Sequence, residues 1–506
     1  MTSKKLSARV SLWEIIEAQG SGPEGSRTFL EDARSERRIT FKQLRRAVDG
    51  WQAVLLRRDI PTSASIIVDV SDPLTFALTH VSLVALGYRS IPINPESQWS
   101  EVERIIGMLD DIRIVVSDRE AVGSAHGRAV LNPHVTDSGE PPQSKKPVAR
   151  GSVLLYTSGS TGTPKGVELD ERQLLYVASQ VAHHNCLSAS DRGFNSLPLF
   201  HINAQVVGLF ASLLAGATLV LDRRFHKSGF WELMRERKIT WINAVPAIMA
   251  ILARETLLDF PPGLRFIRSA SATLPDVLKQ SFANTTLIVS WGMTEGASQI
   301  TATPLDQPLR PGSVGLPVGA EVQARDDSGH ALPAGSSGML WIRGKGIITH
   351  YLDNRAADRF DADGWLETGD IGRLDGDGYV YLLGRSDDVI NRGGEKLYPI
   401  EIENVILQEP TVREAIVTSR EDDVLGQIPV AYVISTIPTI DEKGARMLQA
   451  TLHQLCDEKL PAFKRPPDII IMRDVPRAST GKVKRAELRE MASDNTLFSH
   501  FPALAT

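Results

Sequence analysis

A short apolar run, Val153-Leu154-Leu155, gives way at once to Tyr156-Thr157-Ser158-Gly159-Ser160-Thr161-Gly162-Thr163-Pro164-Lys165-Gly166-Val167. The apolar run reads as a buried strand. The polar stretch after it is suited to an anion. Glycines let successive backbone N–H groups converge, the hydroxyls add donors, and Lys165 adds a full charge. The stretch is not a Walker A loop, because Pro164 precedes Lys165 and Gly166 follows it where that motif needs Gly-Lys-Ser/Thr opening a helix. Ser/Thr/Gly clusters also occur as plain solvated linkers, so the rest of the chain has to decide.

Around that stretch, strand and helix alternate. Ser65 to Val70, Ser90 to Ile93 and Ile112 to Val116 read as strands, with helical spacing over Phe41–Leu56, Pro73–Leu86 and Ser100–Leu109. This predicts a parallel sheet covered on both faces. Thr28-Phe29-Leu30 and Arg38-Ile39-Thr40 read as a hairpin, and Val206 to Leu221 as a buried helix leading into a strand. Beyond Pro311 the texture shifts to short β runs separated by Asp-Gly turns, a β-rich subdomain. From Asp387 a smaller α/β unit follows, with an amphipathic helix from about Lys443 to Lys459.

The chain has 506 residues, too many for one ordinary core, so at least two domains are expected. Its net charge of -5 argues against a nucleic-acid partner. Cys186 and Cys456 stand far apart and outside any CxxC spacing, which fits a reducing, cytoplasmic setting and neither disulfides nor zinc. No signal peptide and no membrane span are expected, since even Val206–Leu221 is interrupted by Ser212, Gly216 and Thr218.

Several short segments carry chemistry. Phe200-His201-Ile202-Asn203 sets a histidine beside an aromatic ring, where a packed core histidine is the plainer reading. Trp291-Gly292-Met293-Thr294-Glu295 follows the strand Leu287-Ile288-Val289 and offers a planar ring for a base and a carboxylate for Mg²⁺. Thr368-Gly369-Asp370 puts an acid on a tight turn, suited to ribose hydroxyls, and Gly384-Arg385 adds a guanidinium fork. Ser479-Thr480-Gly481-Lys482 lies in a basic, glycine-hinged loop near the end.

In this order the segments resemble the adenylate-forming superfamily: acyl- and aryl-CoA synthetases, carrier-protein adenylation domains and beetle luciferases. The match continues through Gly393-Gly394-Glu395-Lys396 and Tyr398-Pro399-Ile400-Glu401-Ile402-Glu403. It implies an α/β fold: a large N-terminal domain of layered sheets and helices with a β-rich subdomain, residues 1–386, and a small mobile C-terminal domain, residues 387–506. It implies ATP, Mg²⁺ and coenzyme A, and two half-reactions. A carboxylate first attacks the α-phosphorus of ATP to give an acyl adenylate and pyrophosphate; a thiol then displaces AMP.

By that resemblance, Thr157, Ser158, Gly159, Ser160, Thr161, Gly162, Thr163 and Lys165 would wrap the phosphates. Thr157 and Glu295 would position Mg²⁺. Ser271, Ala272 and Thr273, with Ser290, Trp291, Gly292, Met293 and Thr294, would frame adenine, and Asp370 and Arg385 would hold the ribose. Lys482 would bridge the carboxylate and the α-phosphate in the first half-reaction. Asp387 would be the hinge, and Gly393, Gly394 and Lys396 would meet coenzyme A. His201, Ile202, Asn203, Ala270, Gly296, Ala297 and Ser298 would line the acyl pocket. Ser160, Trp291 and Thr273 stand where Thr, Tyr and Pro are commoner in the family; none removes a required group.

The pocket residues so assigned are mostly small or apolar, with no Arg or Lys among them. A neutral, bulky monocarboxylic acid is therefore expected (aryl, alicyclic or polycyclic), and Phe200-His201-Ile202-Asn203 leaves small quaternary-ammonium acids such as carnitine open. An acyl-carrier protein in place of coenzyme A is the second reading. A luciferase-like oxygenase is open in principle, and a degenerate nucleotide sensor is opposed by the intact Lys165, Glu295 and Lys482. Family members often form dimers, and the sequence leaves a homodimer open.

Overall fold

The computed structural model describes residues 10–119, 128–134, 145–157, 165–254, 258–272, 274–352, 356–437, 440–477 and 483–493. Contacts divide the chain into two compact units, one of Met1–Leu274, Phe282–Val322 and Ile342–Leu366, the other of Pro275–Ser281, Gln323–Trp341 and Glu367–Thr506.

The first unit holds two large sheets. Six strands run in the order Ala129–Leu131, Ile112–Ser117, Ser65–Asp69, Arg89–Pro92, Ser152–Thr157, Lys165–Asp170. All pairs are parallel except the last, a hairpin in which Thr157 faces Lys165. The nine-stranded sheet runs Leu316–Pro317, Thr301–Ala302, Leu287–Trp291, Phe266–Ser269, Trp241–Ala244, Arg192–Asn195, Thr218–Leu221, Thr28–Asp32, Arg38–Thr40. It is parallel from Leu287–Trp291 across to Thr28–Asp32 and antiparallel at both edges. Parallel strands covered on both faces bury every residue, as Phe266–Ser269 and Leu287–Trp291 do.

The expected strands and helices of the first 120 residues are all present within a residue or two, including the helices Phe41–Arg57, Pro73–Ala85 and Trp99–Met108. Val206–Leu221 is indeed helix then strand, but its first part, Ala204–Phe210, is wound as a π-helix before Ala211–Ala215 tightens. Such wide turns favour functional sites, and this one begins directly after Asn203.

The helix Pro73–Ala85 is buried nearly throughout and carries His80 into the core. Its Nδ1 lies 2.8 Å from Ser90 Oγ and its ring stacks on Phe76 at 5.4 Å. Complete burial pushes its imidazole down to about 3. Because the folded value lies below the unfolded one, stability is whole above about pH 6.5 and falls as pH drops toward 3, by about 1.4 kcal/mol per unit. Denaturant titrations from pH 7 to 4 are expected to show that slope in the wild type and a shallower one in His80→Gln; equal slopes would exclude His80 as the source.

In the second unit, Leu366–Leu374 and Val380–Arg385 pair antiparallel, with Asp370 opposite Arg385. A five-stranded sheet follows: Glu395–Leu397, Ile390–Arg392, Gly426–Ser435 and Val412–Asp422 in sequence of pairing, with Asp468–Met472 parallel to Gly426–Ser435. The helices Pro399–Ile406 and Glu442–Lys459 send Ile402, Ile406, Leu448, Leu452 and Cys456 into a common core with Val417, Val433 and Ile469. No helix among the described residues is long and apolar enough to cross a membrane.

Candidate active site

In an open parallel sheet, ligands gather where the chain leaves the carboxyl ends of the strands. Most of the residues singled out above in the first unit lie there. Ala270, Ser271 and Ala272 follow Phe266–Ser269; Gly292 to Ser298 follow Leu287–Trp291; and the His201 to Asn203 segment lies beyond Arg192–Asn195.

The loop after Trp291 is held by its own geometry. Gly296 N and Ser298 N both donate to the Met293 carbonyl at 3.1 Å. This folds Ser298 back over Gly292, whose missing Cβ would stand 1.4 Å from the Ser298 carbonyl oxygen. Only glycine fits there. Ser271 (φ +73°), Ala297 (+49°) and Ser298 (+88°) are three of the seven non-glycine residues with positive φ among those described. Such strain persists where the surroundings enforce it, characteristically at functional sites.

Glu295 is buried on this loop and its carboxylate accepts a hydrogen bond from Tyr351 Oη at 2.9 Å. Arg359 Nη1 donates to the same Tyr351 oxygen at 2.9 Å, and Lys165 Nζ lies 5.6 Å from the centre of the Tyr351 ring. The Ile348 amide donates to the Glu295 carbonyl, and the Leu352 amide to that of Gly166. One tyrosine thus gathers the acid, a guanidinium and the lysine that ends the hydroxyl-rich stretch. The backbones of Thr157 and Lys165 are paired, so the two ends of that stretch are held side by side. Ser158 to Pro164, Thr273, Gly481 and Lys482 lie outside the described residues, as does the Thr157 side chain.

A single buried carboxylate suits Mg²⁺, which keeps several waters and takes its remaining ligands from phosphates rather than from a protein cage. No group of three or more His, Cys, Asp or Glu among the described residues is arranged as a metal cage. His201 is mostly buried with its ring 4.4 Å from Phe200, and burial holds its imidazole below the ordinary value, hence neutral at pH 7. Asn203 Oδ1 accepts from Asn243 Nδ2 at 2.8 Å.

Asn243 leads to a residue that the sequence reading passed over. Arg268 is fully buried on Phe266–Ser269 and donates to Ser290 Oγ (2.9 Å), Gln299 Oε1 (3.3 Å) and Asn243 Oδ1 (3.4 Å). Burial alone pushes its guanidinium down to about 9. Its signal was an arginine inside an apolar strand, Phe266-Ile267-Arg268-Ser269, just outside the segment taken as pocket lining.

In the second unit, Arg385 Nη1 donates to Asp370 Oδ1 and to the Thr368 carbonyl, both at 3.1 Å. Asp387 lies in the turn Ser386–Asp388, where its carbonyl accepts from Arg489 Nη2 at 3.1 Å, while Arg485 and Arg489 both reach the Asp388 carboxylate. Gly393 (φ +59°) and Gly394 (+92°) form the two-residue turn between Ile390–Arg392 and Glu395–Leu397. A hairpin turn with both central φ positive calls for glycine by itself. Lys396 is exposed, 3.7 Å from Asp327.

The sequence matches the AMP-binding enzyme family over residues 16–352 and the AMP-binding enzyme C-terminal domain over residues 401–482. The chain belongs to the AMP-binding enzyme family. Sulfoacetate–CoA ligase of Cupriavidus necator is 37% identical over 69% of this chain and 68% of its own length. The 2-succinylbenzoate–CoA ligase of Listeria monocytogenes is 30% identical over 90% and 94%. An anthranilate CoA ligase solved with anthranoyl-AMP superposes with a TM-score of 0.87 at 25% identity, over 98% of this chain and all of that one. The o-succinylbenzoate synthetase of Bacillus subtilis, solved with ATP and magnesium ion, gives 0.82 at 26%, over 95% and 99%. This member is accordingly an AMP-forming acid–thiol ligase with the superfamily's α/β fold.

Proposed function

We propose that the chain joins a carboxylic acid to coenzyme A through an acyl adenylate, the acid carrying a second acidic group. The observation that carries the ligase reading is the Glu295–Tyr351–Arg359–Lys165 cluster at the end of the hydroxyl-rich stretch. A carboxylate attacking a polyphosphate faces charge repulsion, so the protein must neutralise and align. Lys165 and Arg359 supply positive charge, and Tyr351 fixes the Glu295 carboxylate. Bound Mg²⁺, held by Glu295 with Thr157, would draw charge from the phosphate oxygens.

In this reading Lys482 meets the carboxylate and α-phosphate oxygens where charge accumulates. Asp370, oriented by Arg385, accepts from the ribose hydroxyls. Pyrophosphate leaves as the acyl–phosphate bond forms. Turning at Asp387 within a small domain of residues 387–506 then brings Gly393-Gly394 toward the thiol. The sulfur attacks the acyl carbon, its proton passes to solvent, and AMP departs.

The acid is where the readings part. Named relatives act on sulfoacetate, oxalate and 2-succinylbenzoate, each with a second acidic group, whereas the small pocket residues by themselves favoured a neutral acid. An aryl monoacid remains the second reading, supported by the anthranilate ligase. Acid-dependent ATP–pyrophosphate exchange over matched mono- and dianionic acids tests this, followed by mass analysis with coenzyme A or a carrier protein as acceptor. Exchange greatest with dianionic acids and a CoA thioester as product are expected. Neutral acids far ahead, or thioester on the carrier alone, would overturn the respective part.

A further inference from the structure

We infer that Arg268 is the residue that makes the acid pocket prefer a carboxylic acid with a second anionic group, a carboxylate or a sulfonate, over a neutral acid of equal size. The inference rests on the ligase reading above and names the group behind its substrate class.

Five other buried charges, all carboxylates, show the usual arrangement. Glu31 meets Arg192 and Arg237, Asp69 meets Arg119, Asp191 meets Arg265, Glu171 meets Arg150 and Asp222 meets Arg34, all within 3.0 Å. Arg268 is at least as buried, yet its partners are a serine, an asparagine and a glutamine, and no carboxylate among the described residues pairs with it. A guanidinium does not shed its proton to escape such a site, and a buried charge without a counter-charge is costly. Two donors in the same cluster, Arg268 Nε and Gln299 Nε2, make no hydrogen bond. The local chemistry asks for an anion.

The cluster's position says which anion. Arg268 is followed by Ser269 and Ala270, Gln299 follows Ser298, and Asn243 joins Arg268 to Asn203, so its partners connect to both sides of the assigned acyl lining. The phosphate stretch instead ends the hairpin of the other large sheet and has Lys165 as its own cation. Arg268 therefore acts as a positioning residue: its field, and the asparagine and glutamine it orients, favour negative charge at the far end of the acid. That field already reaches a neighbour, since Arg268 adds to burial in holding the His184 imidazole down.

The test compares Arg268→Gln and Arg268→Lys with wild type in ATP–pyrophosphate exchange, using a dicarboxylate, a sulfo-carboxylate and a neutral monoacid of equal length. Arg268→Gln is expected to lower the dianionic-to-neutral ratio of kcat/KM on the order of a hundredfold, the scale of two unit charges about 6 Å apart at an effective dielectric of about 20. The loss should fall mainly in the KM for the acid, with the KM for ATP unmoved and Arg268→Lys intermediate. A ratio unchanged in a folded variant, or an equal loss on all acids, would overturn the inference and leave the ligase reading standing. Should both variants fail to fold, the wild type decides through acid-induced rises in Tm: dianionic acids must exceed neutral ones, and the reverse order overturns the proposal. No exchange with any acid would overturn both readings.

Discussion

Glu295→Gln is expected to lower acid-dependent ATP–pyrophosphate exchange by about 10²–10³-fold. The substitution keeps the side chain's length and an oxygen to accept from Tyr351, so the buried contact at 2.9 Å can persist. What disappears is the negative charge that would hold Mg²⁺ against the phosphates. The loss should be partly recovered by raising Mg²⁺, and Tm should move little. Tyr351→Phe, which removes the hydroxyl shared by Glu295 and Arg359, separates positioning from charge. It should lose about ten- to a hundredfold, the scale of a hydrogen bond to a charged group. A Gln variant with full exchange at low Mg²⁺ would remove Glu295 from metal binding.

Lys482→Ala is expected to divide the reaction in two. If its ammonium meets the charge that develops between carboxylate and α-phosphate, exchange should fall by roughly 10³-fold. Thioester formation from a supplied acyl adenylate should fall far less, because that step transfers the acyl group without attack on phosphorus. Equal losses in both half-reactions would assign Lys482 to binding or stability rather than to the first chemical step.

The framework of the first unit was legible because its elements obey simple periods. Ser65–Asp69 and Ile112–Ser117 are short apolar runs that alternate with helices, and parallel strands buried on both faces are composed in that way. The site was legible in its separate segments but not in its joins. Nothing local links Tyr351 to Glu295 across 56 positions. The positive φ of Ser271, Ala297 and Ser298 is enforced by tertiary context and leaves no mark in residue type, since none is glycine.

Gly292 was assigned to the adenine frame, while its physical necessity, the Ser298 carbonyl at its back, emerges only in three dimensions. Gly393 and Gly394, set aside for a close approach of coenzyme A, are already required by their own hairpin turn. Arg268 shows the largest gap between pattern and packing. A charge within Phe266–Ser269 reads as an outward-facing residue, yet the sheet covers it completely and surrounds it with neutral side chains. The residues assigned to the acyl pocket looked neutral by themselves; in the proposed reading the charge lies one layer behind them.

The most direct measurement is exchange of labelled pyrophosphate into ATP by the wild type, with and without acid, followed by mass analysis after adding coenzyme A. The account predicts exchange that depends on both acid and Mg²⁺, and release of AMP with a CoA thioester in equal amounts. Nucleotide binding without acid-dependent exchange, for any acid in a panel spanning neutral, dicarboxylic and sulfonated members, would contradict it.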